Sequence, residues 1–386
     1  MITKSIPYGR QQITDEDIEM VVQTLKSDYL TQGPKIKEFE TAFAKYVGVK
    51  YAVAVNNATA GLHLGATVLG VNPGDKVIVT PLTFAASANC IRYCGGEVVF
   101  CDIDKDSYLM DIQKLRLLLE SSPKGTYKGI VPVDFAGYPL DLEAFHELAK
   151  EYDLWIMEDA CHAPGGYILD SAGVKQYCGN GKYADIGVFS FHPVKHIATG
   201  EGGMITTNSE DLYEKLCFYR THGITKDPSL MLKNDGGWYY EMQDLGYNYR
   251  MTDFQAALGI SQLGRAEKGL NNRHRIANRY FEAFSDIKSI KTPLISKTAY
   301  HAFHLYIIQV EDRLGLYDYL RENNIYAQVH YVPLHLMPYY QQLGNKEGDM
   351  PVVEEYYKHC LSLPMYPTLT EEQQEYVIGK VLEFVL

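Results

Sequence analysis

One recurring unit constrains this fold more than anything else in the chain: a run of four or five apolar residues followed by a helix-length segment with one apolar face. "YAVAV" precedes "NNATAGLHLGATVLGV", "DKVIVTP" precedes "FAASANCIRYC", and "EVVFCDID" precedes "DIQKLRLLLES". "KGIVPVDFAG" then precedes "DLEAFHELAKEYD", "LWIMEDA" follows, and "IGVFSFH" and "GGMITTN" come close together. Strands apolar on both sides must be covered on both faces, so the pattern predicts an α/β fold around a largely parallel sheet. Two helices are expected upstream. One runs from Asp15 to about Leu25, with Thr14 as its cap and an acidic first turn. The other is "GPKIKEFETAFAKYVG", with Pro34 near its start and Gly48 at its end. From about Gly269 long helices such as "NNRHRIANRYFEAF" and a few strands such as "HLYIIQV" take over. The 386 residues therefore divide into an N-terminal segment plus large domain over 1–268 and a smaller C-terminal domain over 269–386.

Composition narrows the function classes. A net charge of −12 argues against a nucleic-acid partner, because phosphate neutralisation needs clustered Lys and Arg. It leaves a small phosphorylated molecule open, since a local site can oppose the overall charge. Seven cysteines without a CxxC pair read as reduced thiols in a cytoplasmic protein rather than a disulfide framework. No metal is expected, because Cys90 and Cys94 have no second closely spaced Cys or His pair to complete a zinc site. The start, "MITKSIPYGRQQ", has no apolar signal region, and no stretch has the length and apolarity of a bilayer span.

In parallel sheets, ligand sites gather at the carboxyl ends of the strands. Here those ends read "NNATA" after Val55, "PLTFAAS" after Val79, "DFAG" after Val133, "EDACHA" after Met157 and "FHPVKH" after Ser190. The lysine in the last of these, Lys195, stands at the mouth of a strand that reads as buried. A lysine amine serves an enzyme when it forms a Schiff base with a carbonyl, and the cofactor that exploits this is pyridoxal phosphate (PLP). PLP also needs a carboxylate for its pyridine nitrogen, an aromatic cover, donors for its phosphate and a partner for its ring hydroxyl. Asp159, Phe84, the Ala58–Ala60 turn with Thr59, and His162 match those needs, and Ser190 can add a hydroxyl to the phosphate.

Taken singly, each of these residues has a plainer reading. A lone Asp after a strand is more often a helix cap, and a lone Phe more often core. Cys161–His162 is a poor thiol dyad, because adjacent residues rarely face each other. The GEGG of "TGEGGM" is not GxGxxG and opens no helix, so a dinucleotide loop is not expected. The set is stronger than its parts because all of its members fall at strand ends.

"EDACHA", "FSFHPVKHIATGEGGMITTN" and "LGYNYRMTDFQAALGISQL" resemble the DegT/DnrJ/EryC1/StrS family of PLP-dependent sugar aminotransferases. The resemblance extends from "IPYGRQQI" and "LTQGPKIKEFE" to "HYVPLHLMPYY". It implies fold type I, with a mixed, mostly parallel seven-stranded sheet, a smaller C-terminal α+β domain, and a homodimer with shared active sites. By motif position, Lys195 binds PLP covalently and Asp159 pairs with the pyridine nitrogen. Phe84 stacks on the ring, His162 lies near the ring hydroxyl, and Ser190 joins the Ala58–Thr59 turn at the phosphate. Asn248 would reach the phosphate of the neighbouring subunit's cofactor. Tyr8, Thr31, Arg250, His330 and Tyr331 would line the sugar-nucleotide site. The family's usual Asn-Gly-Thr turn is Asn57-Ala58-Thr59 here, which is compatible with phosphate binding if φ at Ala58 is negative. Sugar dehydratases of the family carry histidine in place of the lysine, so Lys195 favours amino transfer. Within the family, "IPYGRQ", "HPVK" and "GYNYR" are most similar to enzymes that move an amino group from L-glutamate to C4 of a 4-keto-6-deoxy UDP-N-acetylhexosamine, towards pseudaminic acid. A different 4-keto sugar nucleotide is the alternative.

Overall fold

The computed structural model describes residues 5–386. All seven apolar runs are strands of one sheet, in the spatial order 51–55, 203–207, 186–190, 155–159, 127–131, 76–79, 97–100. Five neighbouring strands run parallel, and 203–207 alone runs antiparallel to both of its neighbours. The sheet is thus mixed and mostly parallel. Strands Ile186–Ser190 and Gly203–Thr207 are buried throughout, which is why their sequences show no polar alternation.

Helices cover both faces. In chain order they are α1 Asp15–Leu25, α2 Pro34–Val47, α3 Ala58–Val68, α4 Ala86–Tyr93, α5 Ile112–Glu120, α6 Leu142–Tyr152, α7 Glu210–Arg220, α8 Asp253–Leu263 and α9 Ala266–Phe284. The expected caps are in place. Thr14 is the N-cap of α1, its backbone N–H donating to Asp17 Oδ2 at 2.9 Å, and α2 has Pro34 at its start and ends on Gly48 at φ 80°, where a side chain would be strained. Among the described residues, no helix is long and apolar enough to cross a membrane.

The C-terminal part has its own core. Strands Tyr306–Gln309 and Cys360–Leu363 pair antiparallel and pack with α9 and the helix Glu371–Val385 through Ile276, Tyr280, Phe284, Ile308, Leu361 and Val377. Ile6 is buried in this core too, because Ile6–Pro7 pairs parallel with Ile325–Tyr326. That pairing carries Tyr8 to the ring of His330, 5.1 Å away. Four features have no counterpart in the sequence reading: this short ribbon, the hairpin Tyr167–Leu169 with Lys175–Tyr177, the pairing of that hairpin with Ala299–Tyr300, and the ribbon of Ile224–Thr225 with Glu241–Met242.

Candidate active site

Register brings the strand ends to one edge. Gly203 lies between Val55 and Ser190, Asp159 pairs with Val188, and Val133 bridges Asp159. The segments leaving Val55, Asp159 and Ser190 therefore emerge side by side. α3 starts directly after the first of them, with the Asn57 side chain accepting from Ala60 N–H at 2.8 Å. Asn57, rather than Thr59, is the cap, and Ala58 and Thr59 form the first turn, where backbone N–H groups have no partner within the helix. Ala58 takes helical backbone angles and is absent from the positive-φ residues, so the Gly-to-Ala departure is harmless here. Gly203 explains the glycine-rich patch. A Cβ there would meet Ala58 N and Asn57 C at 2.8 Å, so its absence lets the α3 amino terminus sit on the sheet edge. Such a terminus is a ready anion site, and Ser190 ends the strand beside it.

Asp159 is buried at the end of its strand. Its Oδ2 accepts from Ser87 Oγ at 2.6 Å and its Oδ1 from Cys161 N–H at 3.1 Å. Ser87 in turn meets Thr83 at 2.6 Å. Behind Asp159 lie two further buried carboxyl groups, Asp134 and Glu158, beside the Cys178 thiol. Burial and the adjacent Asp134 push Glu158 well above the usual carboxylate range, so the pair retains a proton.

Lys195 sits on the turn after Ser190, its N–H bonded to His192 O at 2.8 Å. Its Nζ lies 3.4 Å from His304 Nε2. Protein packed around the amine lowers its pKa to about 8, with Arg273 assisting and Cys161 and Asp159 opposing. Lys195 also reaches a cleft of about 490 Å³, bounded by Arg10, Gln12, Arg265 and Lys268.

His162 is buried, and its tautomer follows from its contacts. Ala136 N–H donates to Nδ1 at 3.2 Å, so the proton is on Nε2, which faces Tyr331 Oη at 3.3 Å. Burial keeps this imidazole neutral, and it also holds the Tyr331 phenol protonated. Tyr331 lies 6.3 Å from the ring of Phe84 and 4.9 Å from that of His330. Phe84 is 62% exposed, an aromatic face open to a flat ligand. His330 bonds Ser362 Oγ through Nδ1 at 2.8 Å, and burial with the nearby Lys195 charge lowers its pKa to about 3.

Asp159, His162, Phe84, Lys195, Tyr8, His330 and Tyr331 thus form one continuous site, with Ala58, Thr59 and Ser190 at its edge. Three expected residues have their contacts outside this cluster, although the segment of two of them joins its edge, where Tyr249 O accepts from Asn56 N–H at 2.9 Å. Thr31 bridges Thr252, Asn248 bridges Thr221, and Arg250 lines a separate hollow with Lys37 and Arg220. Sequence reasoning missed Ser87, His304 and Arg273. Ser87 stood in the quoted "PLTFAAS", but His304 and Arg273 come from elements distant in sequence, and nothing local marks them.

The donor set fits PLP: an amine of lowered basicity, a fixed carboxylate, an open aromatic face, and a helix amino terminus with a hydroxyl beside it. Comparison with known proteins agrees. Residues 11–382 match the profile of the DegT/DnrJ/EryC1/StrS aminotransferase family. The chain is 40% identical to the spore coat polysaccharide biosynthesis protein SpsC of Bacillus subtilis, covering 98% of this chain and 97% of that protein. It is 37% identical to the UDP-4-amino-4,6-dideoxy-N-acetyl-beta-L-altrosamine transaminase of Campylobacter jejuni, covering 96% and 95%. A putative sugar aminotransferase of Streptococcus pneumoniae, solved in its PMP form, superposes with a TM-score of 0.90 at 32% identity over 99% of this chain and 100% of that one. With the family matched over nearly its whole length, the chain belongs to the DegT/DnrJ/EryC1/StrS aminotransferases and is a PLP-dependent sugar aminotransferase.

Proposed function

We propose that this enzyme moves the amino group of L-glutamate to C4 of a 4-keto-6-deoxy UDP-N-acetylhexosamine, on the route to pseudaminic acid. The similarity to the Campylobacter jejuni transaminase over nearly the full length of both chains supports this substrate. The observation that carries the chemistry is the placement of the Lys195 amine between the fixed Asp159 carboxylate side and the His330–Tyr331 side of one site. Bound PLP supplies a carbonyl to accept the amino group and a ring to delocalise electrons. Lys195 takes the proton from the donor's α-carbon and returns it, a task suited to an amine of lowered basicity. Asp159, pinned by Ser87 and Cys161 N–H, holds the pyridine nitrogen protonated. His162 orients Tyr331, whose hydroxyl hydrogen is left to donate to the sugar side. Phe84 covers the cofactor face, and Ser190 with the Ala58–Thr59 turn receives the phosphate.

We further read the active unit as a homodimer in the cytoplasm. Among the described residues Thr31, Asn248 and Arg250 make no hydrogen bond to Lys195, although Tyr249 O accepts from Asn56 N–H beside the phosphate turn, which supports their reaching a neighbour's site from that edge. In the loop between Ile224–Thr225 and Glu241–Met242, Leu232 is 95% exposed and Trp238 77%, apolar surface suited to cover by a second copy. Seven free thiols agree with a reducing compartment.

The test has two stages. L-Glutamate added alone to the yellow PLP-loaded protein should shift its absorption to that of pyridoxamine phosphate. A panel of 4-keto UDP sugars, differing at C5, should then yield a 4-amino product from one member, identified by mass spectrometry and NMR. A protein that ignores glutamate overturns the donor, and amination of a different nucleotide sugar overturns the substrate.

A further inference from the structure

Beneath Lys195 lies a buried cation without a counter-ion. Arg273, on α9, is 1% exposed, and its Nη1 donates to the carbonyls of Phe303 at 3.0 Å, His304 at 3.3 Å and Met365 at 3.0 Å. Among the described residues no carboxylate pairs with it, and its Nε is buried without a partner. An unpaired charge in the interior costs several kcal/mol, and hydrogen bonds to carbonyls offset only part of that. A neutral residue of similar size would avoid the cost, so the charge itself calls for a role.

The role is suggested by what Arg273 grips. His304, whose carbonyl takes one of its hydrogen bonds, turns its ring to Lys195, with Nε2 3.4 Å from Nζ. That ring lies 4.3 Å from His162 and 5.9 Å from His196. The groups facing the Lys195 amine are then Asp159 and Cys161 from the central strand end, the imidazoles of His162, His196, His304 and His330, and Arg273 behind them. Asp159 favours a charged amine, and the imidazoles are kept neutral by burial, so Arg273 is the fixed positive charge among these groups.

We propose that Arg273 is a positioning residue for Lys195: its guanidinium, anchored on the carbonyls of Phe303, His304 and Met365, holds the His304 imidazole against Nζ. The proposal rests on the reading of Lys195 as the proton-carrying amine. The electrostatics agree in direction. Burial is the largest cause of the lowered Lys195 value of about 8, Cys161 and Asp159 oppose it, and Arg273 makes the smallest contribution, in the lowering direction. The same cation disfavours charge on His196 and His304. Arg273 itself is lowered to about 9 by burial and stays charged at neutral pH.

The experiment reads the amine rather than turnover. Full-length protein stripped of cofactor is pulsed with trace acetic anhydride from pH 6 to 11, and acetylation of Lys195 is followed by mass spectrometry. Wild-type Lys195 should titrate near 8. Arg273→Gln should raise it by about half a pH unit or more. Arg273→Lys, whose ammonium the same carbonyls would hold, should stay within about 0.2 unit of wild type. An unchanged titration in a folded Arg273→Gln protein overturns the proposal, as does a rise in Arg273→Lys. Should Arg273→Gln fail to fold, wild type and Arg273→Lys decide: either one titrating like an ordinary lysine, at about 10.4, overturns it. A normal titration difference without amino transfer would sink the proposed function alone. Amino transfer with an unchanged titration would sink only the role of Arg273.

Discussion

Two residues at the centre of the site have different legibility. Lys195 and Asp159 could be read from the sequence because each follows an apolar strand, where a charged residue is out of place unless it has work there. Ser87 could not, since a serine four residues after Thr83 on a small-residue helix looks like filler. Lys195→Ala should abolish turnover, checked by the glutamate half of the reaction. The folded value of about 8 is below that of an ordinary lysine, so between about 8 and 10.4 the unfolded chain binds the proton that the native amine has released. Stability from this group is therefore present at high pH and lost as pH falls through about 8. Thermal unfolding at pH 7 should accordingly find cofactor-free Lys195→Ala no less stable than wild type. By the same sign, PLP capture by cofactor-free protein, followed by absorbance, should speed up as pH rises through about 8 and then level off. Asp159→Asn should cut turnover severely. Ser87→Ala leaves the carboxylate but frees one oxygen, a loss of about 1.5 kcal/mol, or roughly tenfold in rate. A wild-type rate in Ser87→Ala would remove the hydroxyl from the site.

At the scale of elements, the seven sheet strands and the helices around them follow from periodicity, because strands buried on both faces cannot hide. The Tyr167–Leu169 hairpin was invisible for the opposite reason: strands of 3 residues each are too short to show a period. Packing between elements was illegible as well. That Gly203 supports α3 requires knowing that their strands are neighbours, with an antiparallel insertion between 186–190 and 51–55. Gly203→Ala should displace the first turn of α3 and weaken PLP binding by about tenfold while leaving the protein folded, a change that absorbance titration and circular dichroism would separate. Glu158→Gln supplies an amide where the buried pair already holds a proton, so its melting temperature near neutral pH should stay close to wild type. A large drop would mean that the proton is not held there.

For the molecule as a whole, fold class was legible from the strand–helix alternation, and the family from its motifs. The path of the amino-terminal segment was not, because Ile6–Pro7 is too short to show a strand and its partner lies in the C-terminal core. Which residues meet Lys195 was only partly legible, since a sequence motif cannot say whether its residues serve their own chain's site. If Asn248 and Arg250 serve a neighbour, replacing Leu232 and Trp238 with Asp should shift the protein towards monomers in light scattering. Activity should fall while circular dichroism remains unchanged. Monomeric protein with full activity would exclude shared sites.

The ribbon joining Ile6 to Ile325 also has a bearing on how the protein is made. Tyr8 reaches His330 only when that ribbon has closed. On the ribosome, the segment that walls one side of the cleft leaves the tunnel long before its partner strand, and waits while the whole central sheet is translated between them. A nascent chain can therefore assemble the central sheet and its lysine turn while the sugar-facing wall is still missing, and the site becomes whole only once Ile325–Tyr326 and His330 have emerged.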